Sequence, residues 1–270
     1  MLRARLITAA VAIPLLIYLV FCAPMWLFGT VVLAITFIAL REFAAMALEG
    51  VSHATTMTML GGMTIAVTMS IGNTTAVSAG TVVALAGVLI GTLATARDMR
   101  ESVGMAGQIL LGCLYAGMLL PHFIWVRGLP DGPGWVCFVL ACVMAGDAGG
   151  YFAGVGLGRR KLWPSVSPNK TVEGALGSFA LSLVAGVLVK LIVLHRLGPI
   201  EVVLVAGCVN VLAQLGDLLE SMLKRAYDVS DSGWIFPGHG GVLDRTDSLV
   251  LPIVFVYYYA MLARGYAMMP

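Results

Sequence analysis

Long apolar blocks separated by short polar breaks run through the chain from one end to the other. Nine of them are candidate membrane spans: residues 6–22, 26–40, 57–71, 76–94, 105–125, 135–155, 174–194, 201–220 and 248–264. A helix needs roughly 20 apolar residues to cross the hydrocarbon, so the two shortest blocks are expected to tilt little or to draw on flanking residues. Backbone facing lipid must satisfy its own hydrogen bonds, which leaves helices or a closed barrel, and no period-two alternation suggests a barrel. The pattern predicts an all-α fold, a polytopic membrane helical bundle of about nine transmembrane helices. Spans one to five, residues 1–125, form its first group. Residues 126–270 form the second and carry the two richest polar loops, 156–173 and 221–247.

Composition narrows the class further. With 60% hydrophobic and 11% charged residues and a mean hydropathy of +0.96, an ordinary soluble domain is excluded. Arg3 and Arg5 before an apolar run imitate a secretory signal peptide. The apolar character resumes at once through Leu40, however, and no small-residue cleavage pattern intervenes, so the first segment is expected to be retained as a helix. The five cysteines, Cys22, Cys113, Cys137, Cys142 and Cys208, lie in apolar runs without C-x-x-C spacing, and are read as packing residues.

A formal net charge of +2 says little, but its distribution says more. Arg3, Arg5, Arg41, Arg97, Arg100, Arg159, Arg160, Lys161, Lys170, Lys224, Arg225 and Arg245 fall on one side of a nine-span chain. Only Arg127, Lys190, Arg196 and Arg264 fall on the other. This bias predicts a cytoplasmic N-terminus and an external C-terminus. Both rich loops then face the cytoplasm, at a cell membrane, and no nucleic-acid partner is expected.

Three constellations carry candidate chemistry. In "AGDAGGYFAGVGLGRRKL", residues 145–162, Gly146, Gly150, Gly154 and Gly158 recur every four residues and make one smooth helix face for a close neighbour. Gly154, Gly156 and Gly158 also resemble a phosphate loop, but no strand precedes them. Asp147 lies in an apolar segment, where a carboxylate normally faces a cavity or a partner. Arg159, Arg160 and Lys161 suit either anionic lipid heads or a substrate.

In "SVSPNKTVEG", residues 165–174, Ser167 before Pro168 reads as a helix start with a hydroxyl cap and a first-turn proline. Lys170 and Thr171 beside backbone amides would also suit a phosphate. In "QLGDLLESMLKRAYD", residues 214–228, Asp217, then Glu220 or Ser221, then Lys224 share one helical face. The following loop, "FPGHGGVLDRTDS", adds His239, Gly240, Gly241, Asp244, Arg245 and Asp247 at the start of the last span. A salt-bridged interfacial helix end would look similar. Alternatively Asp217, Asp244 and Asp247 converge as hard oxygen ligands, which Mg²⁺ prefers when it also holds substrate phosphates.

The run "SMLKRAYDVSDSGWIFPGHGGVLDRTD", residues 221–247, resembles the signature of the phosphatidate cytidylyltransferase (CDP-diacylglycerol synthase) family. The likeness rests on Ser221, Lys224, Arg225, Asp231, Gly233, Pro237, His239, Gly240, Gly241, Asp244, Arg245 and Asp247. Upstream, "SPNKTVEG" and the Asp147 to Tyr151 region resemble it too, whereas the N-terminal half does so only as hydrophobic spans. Ser230 departs from the pattern, since the family usually has lysine there.

The resemblance implies a membrane enzyme that joins phosphatidate to CTP, releasing pyrophosphate and leaving CDP-diacylglycerol in the bilayer. It implies Mg²⁺, alone or with a second cation, on Asp217 and Asp244, with Asp247 as a further ligand or support. Lys170, Lys224, Arg225 and Arg245 would hold phosphates. His239 would contact a phosphate, carry a proton or brace the Gly240–Gly241 turn. Asp147, Tyr151, Ser167, Thr171, Ser221, Asp231, Gly240 and Gly241 would line the substrate site. The implied partners are CTP, phosphatidate and membrane lipids, and the glycine-lined faces permit a homodimer without requiring one.

Two other classes compete. A transporter would share the helices and Asp147, but would not need the dense 217–247 cluster, and no inverted repeat is evident. Another membrane phosphotransferase using CTP or a CDP-lipid is chemically closer. The D-G-x-x-A-R motif of the CDP-alcohol phosphotransferases is missing, because the chain's Asp-Gly, at Asp131, continues as "DGPGWV".

Overall fold

The computed structural model describes residues 13–233 and 240–265. Helix α1 covers residues 13–21. It is followed by α2 (Met25–Ala47), α3 (Ser52–Ile71), α4 (Thr74–Thr95), α5 (Met99–Tyr115), α6 (His122–Gly128) and α7 (Gly132–Leu157). A hairpin of β1 (Lys161–Trp163) and β2 (Ser167–Thr171) leads to α8 (Val172–Ile192), α9 (Pro199–Ala226) and α10 (Leu243–Arg264). Among the described residues, seven helices are long and apolar enough to cross a membrane: α2, α3, α4, α7, α8, α9 and α10. They coincide with seven of the nine blocks, so the all-helical polytopic bundle stands. Of the first block, residues 6–12 lie outside the described residues.

The fifth block, 105–125, is not one helix. Helix α5 stops at Tyr115, six residues of turn follow, and α6 restarts at His122. Two residues explain the break. Gly117 sits so close to Gly62 of α3 that a Cβ would fall 2.6 Å from its Cα, and Pro121 has no N–H to continue the ladder. Both Met118 and Leu119 donate instead to the Leu114 carbonyl, at 3.2 and 3.3 Å. Helices α5 and α6 together still run the length of α2. The α4–α5 junction faces the α2–α3 junction around Ser52 and His53, whereas Arg127, in the last turn of α6, donates to the Ala23 carbonyl just before α2 begins.

Polar residues in the early helices are neutralised locally. Thr36, Thr58, Thr64 and Thr81 each donate their hydroxyl to the carbonyl four residues back, which hides the group from lipid without a partner helix. The apolar core does not stop at the 125/126 boundary. Val20, Phe28 and Val32 share one cluster with Trp135, Phe138, Val205 and Ile253.

Helices α7 and α8 make the most extensive helix pair. The glycine face predicted on α7 is the reason: Gly146 abuts Ser178, and Gly150 and Gly154 lie over Gly174. That face is spent on α8 of the same chain. The hairpin corrects the expectation that Ser167 and Pro168 start a helix, because Ser167–Thr171 is a strand paired with Lys161–Trp163. The cap of α8 is Thr171, whose hydroxyl accepts from Gly174 N at 3.1 Å, while Glu173 closes the hairpin by accepting from the Arg159 and Arg160 amides.

The α7–α8 contact makes opposite predictions for one substitution at two places. A Cβ on Gly149 would collide with the Gly177 carbonyl and come within 2.9 Å of the Leu181 side chain, whereas at Gly156 it meets nothing. Gly149→Ala is expected to lower stability by about 1–3 kcal/mol, and Gly156→Ala to be neutral or to raise it by up to about 1 kcal/mol. Thermal unfolding of the two variants in detergent micelles checks the contrast.

Candidate active site

The site is built where α7, α9 and α10 meet. Asn210, Gln214, Asp217, Ser221 and Lys224 recur at intervals of three or four along α9, which places them on one face. The deeper part of this stripe is satisfied by α8. Asn210 Nδ2 donates to Ser178 Oγ at 2.8 Å, and Gln214 Nε2 donates to Asn210 Oδ1 at 2.6 Å. The shallower part carries charge. Lys170 of β2 lies 2.5 Å from Asp217 Oδ2, and Ser221 Oγ donates to the other Asp217 oxygen at 3.4 Å.

One turn further, Lys224 Nζ sits between two carboxylates, 2.5 Å from Glu220 Oε2 and 2.7 Å from Asp244 Oδ1. Glu220 is 1% exposed, so its charge depends on that partner. The remaining oxygen of Asp244 is crowded. Its Oδ2 accepts from Ser232 N at 3.0 Å, Ser232 Oγ at 2.9 Å and Gly241 N at 2.8 Å. These bonds fix the carboxylate in one orientation and tie both sides of the 228–243 loop to α10. Gly240 has φ +76°, a left-handed value, and a side chain there would run into Asp244.

Asp247 arrives by a close helix approach. A Cβ on Gly216 would strike the Asp247 carbonyl, so this glycine lets α10 lie directly on α9. Asp247 is buried, and its Oδ1 accepts from Ser248 N at 2.6 Å and Ser248 Oγ at 3.2 Å. Asp217 and Asp247 interact electrostatically, as do Asp147 and Asp217, while Lys170 and Arg245 lie near Asp147.

Together these residues surround a cavity of about 1110 Å³. Asp147, Asp217, Glu220, Asp231, Asp244 and Asp247 supply its acids, and Lys224 and Arg245 its cations. Leu16, Leu140, Val143, Met144 and Leu249 supply an apolar wall. One cavity therefore offers charge on one side and hydrocarbon on the other.

Several expected site residues take other positions. Tyr151 is exposed on α7 and packs edge-to-face with Phe152. Arg225 is exposed on α9. Ser167 is on β2, and Thr171 is buried as the α8 cap. Ser230 donates to Asp231 Oδ2 at 2.9 Å, so at the family's lysine position stands a neutral hydroxyl holding an acid. His239, like Pro237, lies outside the described residues.

Of two further acids, the sequence left one as an alternative and did not mark the other. Glu220 was one of two options for a helical face, and the geometry separates them: Glu220 meets Lys224, Ser221 meets Asp217. Glu42, on α2, is 5% exposed and accepts from Val242 N at 3.0 Å and Leu243 N at 2.8 Å. Only its block-ending position beside Arg41 hinted at a role.

The donor set suits a hard divalent cation. Asp217, Asp244 and Asp247 line one cavity, and the oxygens of Asp244 are engaged, one by Lys224 and the other by Ser232 and Gly241. Among the described residues no group of three or more His, Cys, Asp or Glu side chains is arranged so that it could hold a metal ion. A Mg²⁺ ion would accordingly rest on one or two carboxylates and on substrate phosphates, its usual habit.

A cytidylyltransferase family model matches residues 3–263. The chain belongs to the cytidylyltransferase family. Among similar proteins of this family, the phosphatidate cytidylyltransferase of Bacillus subtilis (strain 168) is 46% identical over 154 residues, covering 56% of this chain and 57% of that protein. That of Synechocystis sp. (strain ATCC 27184 / PCC 6803 / Kazusa) is 30% identical over 286 residues, covering 96% of each. That of Brucella suis biovar 1 (strain 1330) is 40% identical over 149 residues, or 55% of each. The chain thus spans about half the length of the Bacillus and Brucella relatives in these matches, and nearly all of the Synechocystis one.

The triad of Lys224, Glu220 and Asp244 predicts strong coupling. Lys224→Met strands two carboxylates that are 1% and 10% exposed, and is expected to cost about 3–5 kcal/mol of stability. Glu220→Gln added to it should recover part of that loss. Additive effects in a double-mutant cycle of unfolding free energies would show that the two do not interact.

Proposed function

We propose that this protein transfers CMP from CTP to phosphatidate, giving CDP-diacylglycerol and pyrophosphate. The observation that carries the reading is the two-sided cavity in a chain of this family, with acids and cations facing a wall of Leu16, Leu140, Val143, Met144 and Leu249. A headgroup reaction needs the charged side, and a lipid that stays in the bilayer needs the apolar one. A phosphate oxygen of phosphatidate attacks the α-phosphorus of CTP, the bond to the bridging β-phosphate oxygen breaks, and pyrophosphate leaves. Both reactants are anionic, so their approach depends on fixed positive charge.

Lys224 and Arg245 line the cavity and hold phosphates in this scheme, with Lys170 at its margin toward the lipid. Glu220 and Asp244 keep Lys224 at a fixed position. Gly240 lines the cavity without a side chain, so a triphosphate can lie against its backbone. Arg225, exposed beside this group, attracts anionic substrate from outside. One or two of Asp217, Asp244 and Asp247 would hold Mg²⁺ together with substrate phosphates, and the ion would supply charge neutralisation there.

We also propose nine crossings, with α1 as the first and α5 with α6 as the fifth. The ends of α5 and α6 at opposite ends of α2 support this count. It separates Arg41, Arg97, Arg100, Arg159, Arg160 and Lys161 from Arg127, Lys190 and Arg196, which supports a cytoplasmic N-terminus and a cytoplasmic active site in the cell membrane.

The test is transfer of label from α-³²P-CTP to the lipid phase by purified protein in micelles containing phosphatidate. Labelling with matching pyrophosphate release, abolished by EDTA and restored by Mg²⁺, is the expected result. Asp217→Asn should lower kcat by about 10²-fold or more while the protein stays folded. Absence of lipid labelling from folded protein would overturn the reading, and label passing to another lipid acceptor would favour a different CTP-using phosphotransferase.

A further inference from the structure

We propose that Glu42 is a positioning residue of the active site, a carboxylate from the N-terminal helices that sets where the nucleotide-binding loop and the start of α10 stand. The inference rests on the function proposed above for the same cavity.

Glu42 is 200 residues distant in sequence from the group it holds. It sits on α2, buried among Leu40, Phe43, Leu243 and their neighbours, and both of its oxygens are engaged. Oε1 accepts from Val242 N at 3.0 Å and Oε2 from Leu243 N at 2.8 Å. Those amides belong to the cap residue and first residue of α10, where the peptide N–H groups have no partner within the helix. The cap residue, Val242, has no side chain that could accept from them. A carboxylate from another helix does so, and its charge matches the positive end of the helix dipole.

Two glycines show how tightly the loop is fitted to it. A Cβ on Gly233 would lie 2.5 Å from Glu42 Oε1, and one on Gly241 2.5 Å from Oε2. Gly233 and Gly241 therefore both lie directly against the carboxylate. Asp244, one residue beyond Leu243, then binds Ser232 and Gly241 from the opposite direction. Glu42 and Asp244 grip the same loop. Glu42 does not itself line the cavity, so its effect must pass through Gly233, Gly241, Asp244, Arg245 and Asp247.

The demand is for two acceptors. Glutamine preserves size but sets an NH₂ group against one of the two amides, leaving a buried donor unsatisfied. Glu42→Gln should accordingly lower kcat/KM for CTP by tenfold or more, and Glu42→Ala at least as much. Glu49→Gln, an exposed acid just after the same helix, should match the parent.

Hydrogen–deuterium exchange of the protein in micelles supplies a readout that does not depend on activity. Exchange over residues 228–245 should rise in Glu42→Gln, with α7 and α8 unchanged and the thermal midpoint within a few degrees of the parent. Unaltered exchange and unaltered kcat/KM in Glu42→Ala would overturn the proposal. So would a lowered midpoint with normal kcat/KM per folded molecule, which marks a purely structural role. If the parent itself shows no cytidylyl transfer, the function fails, while the exchange result still decides whether Glu42 holds the loop.

Discussion

A carboxylate at the end of a membrane helix is stable only when its oxygens find donors, and Asp244 finds four. Three reach Oδ2 from Ser232 and Gly241, and the fourth is Lys224 on Oδ1. The other features of the site follow from satisfying this group. Ser232 and Gly241 must come together, so the loop between α9 and α10 is pinned at both ends. Lys224 must point inward, so Glu220 is drawn beside it and buried. The cost of desolvating such charges is high unless the pairing geometry is good, and here a single cluster shares that cost among three side chains. The cavity is polar on this side because the chain's own charges are organised there.

Most of the bundle was legible because hydrocarbon imposes one rule on the backbone. Seven apolar blocks became seven long helices. Residues 105–125 failed for a reason that mean apolarity does not register, since Gly117 must touch Gly62 and Pro121 cannot donate. The misreading of Ser167 has a different origin. Serine before proline is a good local start signal, but pairing of Lys161–Trp163 with Ser167–Thr171 outweighed it and moved the cap to Thr171. Helix-start signals are local preferences of about 1 kcal/mol, which a tertiary pairing readily overrides.

The site was legible where its residues share a helix. Spacing alone put Asp217, Ser221 and Lys224 on one face, and the glycine turn returned Asp244 and Asp247 to it. Spacing could not tell Glu220 from Ser221, nor reveal that Lys170 of β2 pairs with Asp217 of α9. Glu42 was invisible for a stronger reason: its partners are backbone amides, which leave no mark in the identities of Val242 and Leu243. Tyr115 is similar. It ends α5 within electrostatic reach of Asp217, Glu220 and Asp247, with its hydroxyl unpartnered among the described residues, yet in the sequence it is one more aromatic in an apolar block.

The separation between Glu42 and its partners also orders events during synthesis. Helices α7 and α8 are joined by a short hairpin, so their small-residue faces can meet as soon as both have left the ribosome, at little cost in loop closure. The contact between residue 42 and residues 242–243 must wait for the last helix of the chain. Domains and helices made early commonly settle before later ones arrive. A nascent or truncated chain would hold a well-packed α7–α8 pair in the bilayer while lacking the clamp on the loop between α9 and α10, and the final helix would complete scaffold and site in one step.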